Sequence, residues 1–197
     1  MTIDELERRT RRILAARQRR VVPDGSLIRA AVLIPILDRG EPAILFVKRT
    51  ETVAHHKGQI AFPGGVVDPD DPSALDAALR EAEEEVGLPR RAVEVLGILD
   101  DSETVATPFV ITPFVGLVRE AVDWKPDGVE IDRVLEVPYA ALAADGSFRV
   151  EYRERGGVVR PVHFFDYRGD TIWGATARIL TDYLALVGDV ERQGHQR

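Results

Sequence analysis

The chain has 197 residues, 45% of them hydrophobic, enough for one domain with a real core. It has no cysteine, which excludes a disulfide framework and a structural thiolate zinc site and fits a reducing, cytoplasmic compartment. A net charge of −7 with few aromatics argues against nucleic-acid binding, and no apolar run approaches the ~18 residues of a membrane span.

Residues 1–20 carry seven arginines against Asp4, Glu5 and Glu7, a balance of +4 that leaves −11 for the remainder. Ile3, Leu6, Ile13 and Leu14 fall near helical spacing and predict a short amphipathic helix, followed by a linker to residue 26. The start is charged and lacks a signal-peptide core. The thin apolar stripe favours packing on its own domain, or on a second subunit as a homodimer, over an anion-binding arm or a membrane-surface contact.

Residues 27–37 form a nearly continuous apolar run, as expected of a strand covered on both faces. A turn at 38–42 leads to a second strand at 43–49, then to a polar loop at 50–59 holding His55 and His56. A Gly64-Gly65 turn precedes a helix that ends near Val86. Strands are predicted at 92–100, 109–118 and 131–137, a short helix at 139–144, and a hairpin of strands at 148–153 and 158–165. A loop spans 121–128, a closing helix 174–187, and a polar tail 191–197. Together, residues 27–190 read as one domain with a mixed sheet between helical layers, an α/β fold.

The helix after the Gly-Gly turn carries the chemistry. Asp71 is the expected N-cap and Pro72 suits the first helical position. Leu75, Ala78, Leu79, Ala82 and Val86 make its buried stripe, and Gly87 its stop. Glu81, Glu84 and Glu85 stand at i, i+3 and i+4, which brings three carboxylates onto one face, where they repel. A hard cation such as Mg²⁺ or Mn²⁺ relieves that repulsion. The plain alternative is a solvated acidic face. Arg80 set into the cluster, and the Gly-Gly turn one helix length upstream, favour the cation.

The run Arg80-Glu81-Ala82-Glu83-Glu84-Glu85-Val86-Gly87-Leu88 resembles the second half of the Nudix box, with Gly65 as its opening glycine. Asp71 stands where that pattern has Glu, and eight residues rather than seven separate it from Arg80. Upstream, Leu45-Phe46-Val47-Lys48-Arg49-Thr50 and then Gly58-Gln59-Ile60-Ala61-Phe62-Pro63-Gly64-Gly65 resemble the signature of the coenzyme A pyrophosphatase branch. Thr50 replaces the usual Ser or Ala, and Ala54 occupies the position of a second Arg. Segments 112–116 and 172–178 also match that branch, so the resemblance spans roughly residues 28–186.

The resemblance implies a Nudix-type α/β/α sandwich with a mixed β-sheet. It implies Mg²⁺- or Mn²⁺-dependent cleavage of coenzyme A or its thioesters to 3′,5′-ADP and 4′-phosphopantetheine or its acyl form. Alternatives are another nucleoside diphosphate derivative, such as ADP-ribose or a dinucleoside polyphosphate, and a non-catalytic Nudix-like binding domain. Glu81, Glu84 and Glu85 are the expected metal ligands, joined through the resemblance by the Gly65 carbonyl. Arg80 is expected to pair with a neighbouring carboxylate and fix its rotamer. Glu130 is the expected general base, with Glu103 its rival. Arg49, at the end of its strand, and Lys57, in the loop with Gly58 and Gln59, are the expected partners of the 3′-phosphate. Phe62 is either a platform for the base or a core residue, and Trp173 packs the last helix.

Overall fold

Alternate apolar side chains on three long strands serve two separate cores, and this sets the architecture. The computed structural model describes residues 1–23, 25–52, 57–105 and 107–188. The first half comprises α1 (Ile3–Ala16), β1 (Ile28–Asp38), β2 (Pro42–Arg49), β3 (Ile60–Ala61), β4 (Gly64–Val66) and α2 (Ala74–Val86). There follow β5 (Glu94–Ile98), β6 (Ser102–Glu103), β7 (Phe109–Val118), β8 (Ile131–Pro138) and α3 (Tyr139–Leu142). The chain then forms β9 (Phe148–Arg155), β10 (Val158–Tyr167), β11 (Asp170–Trp173) and α4 (Ala175–Leu186).

Strands β1 to β8 make one mixed sheet, in which β1 and β7 run parallel and the other pairs antiparallel. Ala31, Leu33 and Leu37 of β1, with Leu45 and Val47 of β2, face α2. Ile34 and Ile36, with Ile44 and Phe46, face the opposite way, toward α1, α3 and α4. This two-sided burial is the reason β1 is apolar almost throughout. The result is the expected α/β/α sandwich with a mixed sheet.

The two central strands part at the end that builds the site. β1 pairs with β2 only from Ile36↔Ile44 to Asp38↔Pro42. Farther along, β1 turns that edge to β4 (Ala31↔Gly65), and β2 turns its own to β3 (Lys48↔Ile60). The short strands fill the gap, so the Gly64-Gly65 segment is a strand of the sheet and not only a turn. The late hairpin, with β11 added to it, makes a separate three-stranded sheet in the order β11-β10-β9. The third strand, β11, gives no period-2 signal in the sequence because Asp170–Trp173 is too short.

The α2 helix begins later than expected. Its N-cap is Ser73, whose hydroxyl accepts the Asp76 N–H, and not Asp71. Two capping residue types lie two positions apart, and the later one wins because Asp71 is engaged by Arg80. The stop is as expected. Gly87 sits at φ 71°, its N–H donates to Glu83 O (3.0 Å), and Leu88 N–H donates to Ala82 O (3.2 Å).

The basic segment packs on its own domain as α1. Leu6 is fully buried, and Thr10 shares a hydrogen bond of 2.9 Å with Tyr183. Its arginines answer acids of the body: Arg11 pairs with Glu94, Arg17 with Asp100, and Arg19 approaches Asp101 at 3.6 Å. The uneven charge along the sequence is thus partly neutralised in space. Leu6→Ala should cost about 3 kcal/mol and lower Tm by roughly 6–12 °C, read by thermal denaturation. A change under about 1 °C would mean that α1 is not part of the core.

Candidate active site

The site forms where α2 passes beneath the Gly64-Gly65 strand. Glu85 is buried, and its Oε2 accepts the Gly64 N–H at 3.1 Å. Glu81, half-shielded, lies against Gly65: a Cβ there would come 2.5 Å from the Glu81 Cδ. At Gly64 (φ 150°) a Cβ would overlap the Ala31 carbonyl oxygen and sit 2.6 Å from Val32 Cα. Gly64 is therefore required for its strand to lie this close to β1, and any side chain at Gly65 would displace the Glu81 carboxylate.

Burial pushes the Glu85 carboxyl up to about 8. The Gly64 N–H and Arg49 oppose that rise, and the charges of Glu81 and Glu130 add to it. Glu81 is also raised, first by burial, against the lowering effect of Arg80. Glu84 is the exposed member, 61% accessible at its side chain.

Arg80 is the hub of the cluster. Its Nε and Nη2 donate to the two oxygens of Asp71, each at 3.0 Å. Its Nη1 donates to Glu81 (2.9 Å) and Glu84 (3.1 Å). Asp71 is held below the usual carboxylate range, chiefly by the Arg80 hydrogen bonds. The bidentate fork fixes the guanidinium plane, and the remaining nitrogen then aligns two carboxylates. Asp71 is thus the partner of Arg80. Its place nine residues before Arg80, where the resemblance has Glu, was the signal that could have revealed it. Glu83 points away and approaches Arg90 at 3.6 Å.

The opposite wall is built by the loop before β8. Asp127 Oδ1 accepts N–H groups from Val129, Glu130 and Ile131, each at 2.9 Å, and Asp127 N–H donates to the Glu85 carbonyl at 3.2 Å. The Glu130 carbonyl accepts Thr50 N–H at 2.8 Å. The Glu130 carboxylate pairs with Arg49 Nη2 at 2.9 Å, and its charge reaches both Glu81 and Glu85. Arg49 Nε is buried with no hydrogen-bond partner among the described residues. Asp127, which sequence reasoning missed, positions Glu130. Glu103, the rival, lies in β6 beside Arg178, three strands from β4 across β1 and β7, about 14 Å in hydrogen-bonding steps.

The remaining expected residues divide. Gln59 joins β2 through its carbonyl, which accepts Arg49 N–H at 2.9 Å. Gly58 adopts φ 62°, and Lys57 is exposed beside it. Phe62 is corrected to a core residue: it is 3% exposed and stacks on Phe46 at 4.8 Å, leaving no face for a base. Ala54, His55 and His56 lie outside the described residues.

The donor set fits a hard divalent cation. It consists of carboxylate oxygens, two of the carboxylates are desolvated, and Glu81 rests in the cradle left by Gly65. Among the described residues no three His, Asp or Glu side chains are gathered into a finished cation cage, because Arg80 draws Glu84 toward itself. A cation here would compete with Arg80 for Glu81 and Glu84.

Comparison with known proteins agrees with this geometry. The chain matches the NUDIX domain over residues 27–154. It is 43% identical over 152 residues to the uncharacterized Nudix hydrolase NudL of Yersinia enterocolitica, covering 77% of each chain. It is 40% identical over 159 residues to NudL of Salmonella newport, covering 81% of this chain and 82% of that one. Among solved structures, a MutT/nudix family protein from Enterococcus faecalis superposes with a TM-score of 0.57 at 15% identity, covering 85% of this chain and 70% of that one. The chain belongs to the Nudix hydrolase family, whose members generally use divalent metals. No helix among the described residues is long and apolar enough to cross a membrane.

The raised Glu85 has a consequence for stability. Between its unfolded value of 4.5 and about 8 the folded chain holds a proton that the unfolded chain has released. Raising pH through that window therefore destabilises the metal-free protein. In EDTA, Tm should fall from pH 5 to pH 8.5, and Glu85→Gln should flatten that fall. Parallel curves for the two proteins would refute the assignment.

Proposed function

We propose that the chain hydrolyses the diphosphate bond of coenzyme A and its thioesters, releasing 3′,5′-ADP and 4′-phosphopantetheine or its acyl form. The observation that carries the reading is the placement of Glu85 and Glu81 against the Gly64-Gly65 strand, with Glu84 aligned beside Glu81 by Arg80 and with Glu130 and Arg49 on the facing wall. The choice of coenzyme A is supported by the signature through Arg49, Gly58, Phe62, Pro63, Gly64 and Gly65.

In this reading Glu81, Glu84, Glu85 and the Gly65 carbonyl hold Mg²⁺ or Mn²⁺. Such an ion, when bound, neutralises diphosphate oxygens and lowers the pKa of the attacking water. Arg80 orients Glu81 and Glu84, with Asp71 holding its other edge. Arg49, with an unused Nε–H, receives a diphosphate oxygen. Releasing Glu130 from Arg49 at that moment frees its carboxylate to take the water proton as the water oxygen bonds to phosphorus, while the anhydride P–O bond breaks and the electron pair leaves with the departing phosphate. Lys57 and Gln59 line the approach.

Two experiments test this. Incubation with coenzyme A, Mg²⁺ and ¹⁸O-labelled water should give 3′,5′-ADP and 4′-phosphopantetheine by mass spectrometry, with label in one of them. Turnover of ADP-ribose far above that of coenzyme A would overturn the substrate. Glu84→Gln and Glu85→Gln should each lower kcat at least about a hundredfold with circular dichroism unchanged. Activity within a factor of about three would remove these residues from the chemistry.

A further inference from the structure

A second concave surface lies on the far side of β2. Successive strand residues point to opposite faces. Arg49 therefore reaches the acidic cluster, while Lys48 reaches a cleft of about 370 Å³ between β3 and the three-stranded sheet. Gly58 and Ile60 form one wall; Arg153, Phe164, Asp170 and Trp173 form the other. The volume is in the range of small-ligand sites.

Its chemistry is specific. Trp173 is 39% exposed and stacks on Phe164 at 6.4 Å with planes 15° apart, which leaves its outer ring face open. Asp170, the one carboxylate lining the cleft among the described residues, is already held by Arg133 through both oxygens at 2.8 Å. Lys48 also reaches Asp170, at 3.1 Å, so two cations meet on one carboxylate, and Arg133 in turn approaches Asp132 at 3.9 Å. Arg153 adds a guanidinium 5.1 Å above the Phe164 ring, paired with Glu151 at 2.8 Å. In a chain of net charge −7, an exposed aromatic face flanked by Lys48 and Arg153 is a feature to be explained. Bases stack on open aromatic faces, and phosphates seek such cations.

We propose that this cleft is the subsite for a purine nucleotide carrying a phosphomonoester, with the ring on Trp173 and the phosphate on Lys48 and Arg153. The inference rests on the diphosphate-hydrolase reading, for the ligand is then the nucleotide end of the substrate. From the cleft the molecule passes Gly58 and rounds the end of β2 to reach Arg49 and the carboxylates. The cleft would select substrates by the phosphate outside the scissile bridge, a task the acidic cluster has no means to perform.

The test is tryptophan fluorescence of the full chain titrated with 3′,5′-ADP in EDTA, where no turnover occurs. The expected result is saturable quenching that Trp173→Phe abolishes, leaving only Trp124. Lys48→Ala and Arg153→Gln should each weaken binding at least about tenfold. Arg153 lies on the exposed hairpin, so its variant keeps the fold if Lys48→Ala does not. Absence of saturable quenching, or affinity within about twofold of the wild type in both charge variants, overturns the subsite. The two readings fail differently. Coenzyme A cleaved with an unchanged KM in Arg153→Gln condemns the cleft alone. Nucleotide bound as described, with coenzyme A left intact, condemns the substrate assignment alone.

Discussion

A carboxylate withdrawn from water is costly unless something positive meets it. Glu85 is placed in that condition by the meeting of α2 with the Gly64-Gly65 strand, and the rest of the site is arranged around the consequence. One backbone N–H answers one oxygen. Arg80 answers Glu81 and Glu84 but is itself anchored on Asp71, so it aligns those two carboxylates without reaching the buried one. Arg49 acts on Glu85 from the far wall while already committed to Glu130. The positive charge within reach is shared among more carboxylates than it can satisfy, and a hard cation completes the balance.

The scaffold makes this tension affordable by keeping it local. β1 and β2 part just where β3 and β4 enter, so the backbone of Gly64 and Gly65 is held by sheet pairing while their missing Cβ atoms admit Val32 and Glu81. The Schellman end of α2 and the Asp127 loop then fix the far end, because Lys125 and Asp127 donate to carbonyls of Val86 and Glu85. Helix, strand and loop each contribute one wall, and none of them forms the site alone.

Much of this was readable from residue order. Helical and two-residue periods are local, so β2 falls within a residue of its predicted limits, β7 coincides with its prediction, and α2 ends where predicted although it starts two residues late. The three glutamates followed from spacing along a single helix. What escaped depended on distant pairing. Asp71 resembled a cap until Arg80, nine residues on, was seen to hold it. Phe62 could be placed in the core only once Phe46 lay beneath it. Asp127 looked like any loop acid, although three backbone N–H groups turn toward it. The Lys48 cleft requires β11 to lie across β3, a juxtaposition of residues more than a hundred positions apart that no local pattern encodes.

The central claim is that these carboxylates are arranged for a dication, and electron paramagnetic resonance of free Mn²⁺ tests it without substrate or turnover. Adding the protein at neutral pH should remove the free-ion signal in a saturable way. In Glu85→Gln the loss should need at least about ten times more protein, since a charge has been taken from the ligand set. A signal untouched by the wild-type chain, or removed equally well by the variant, would contradict the account.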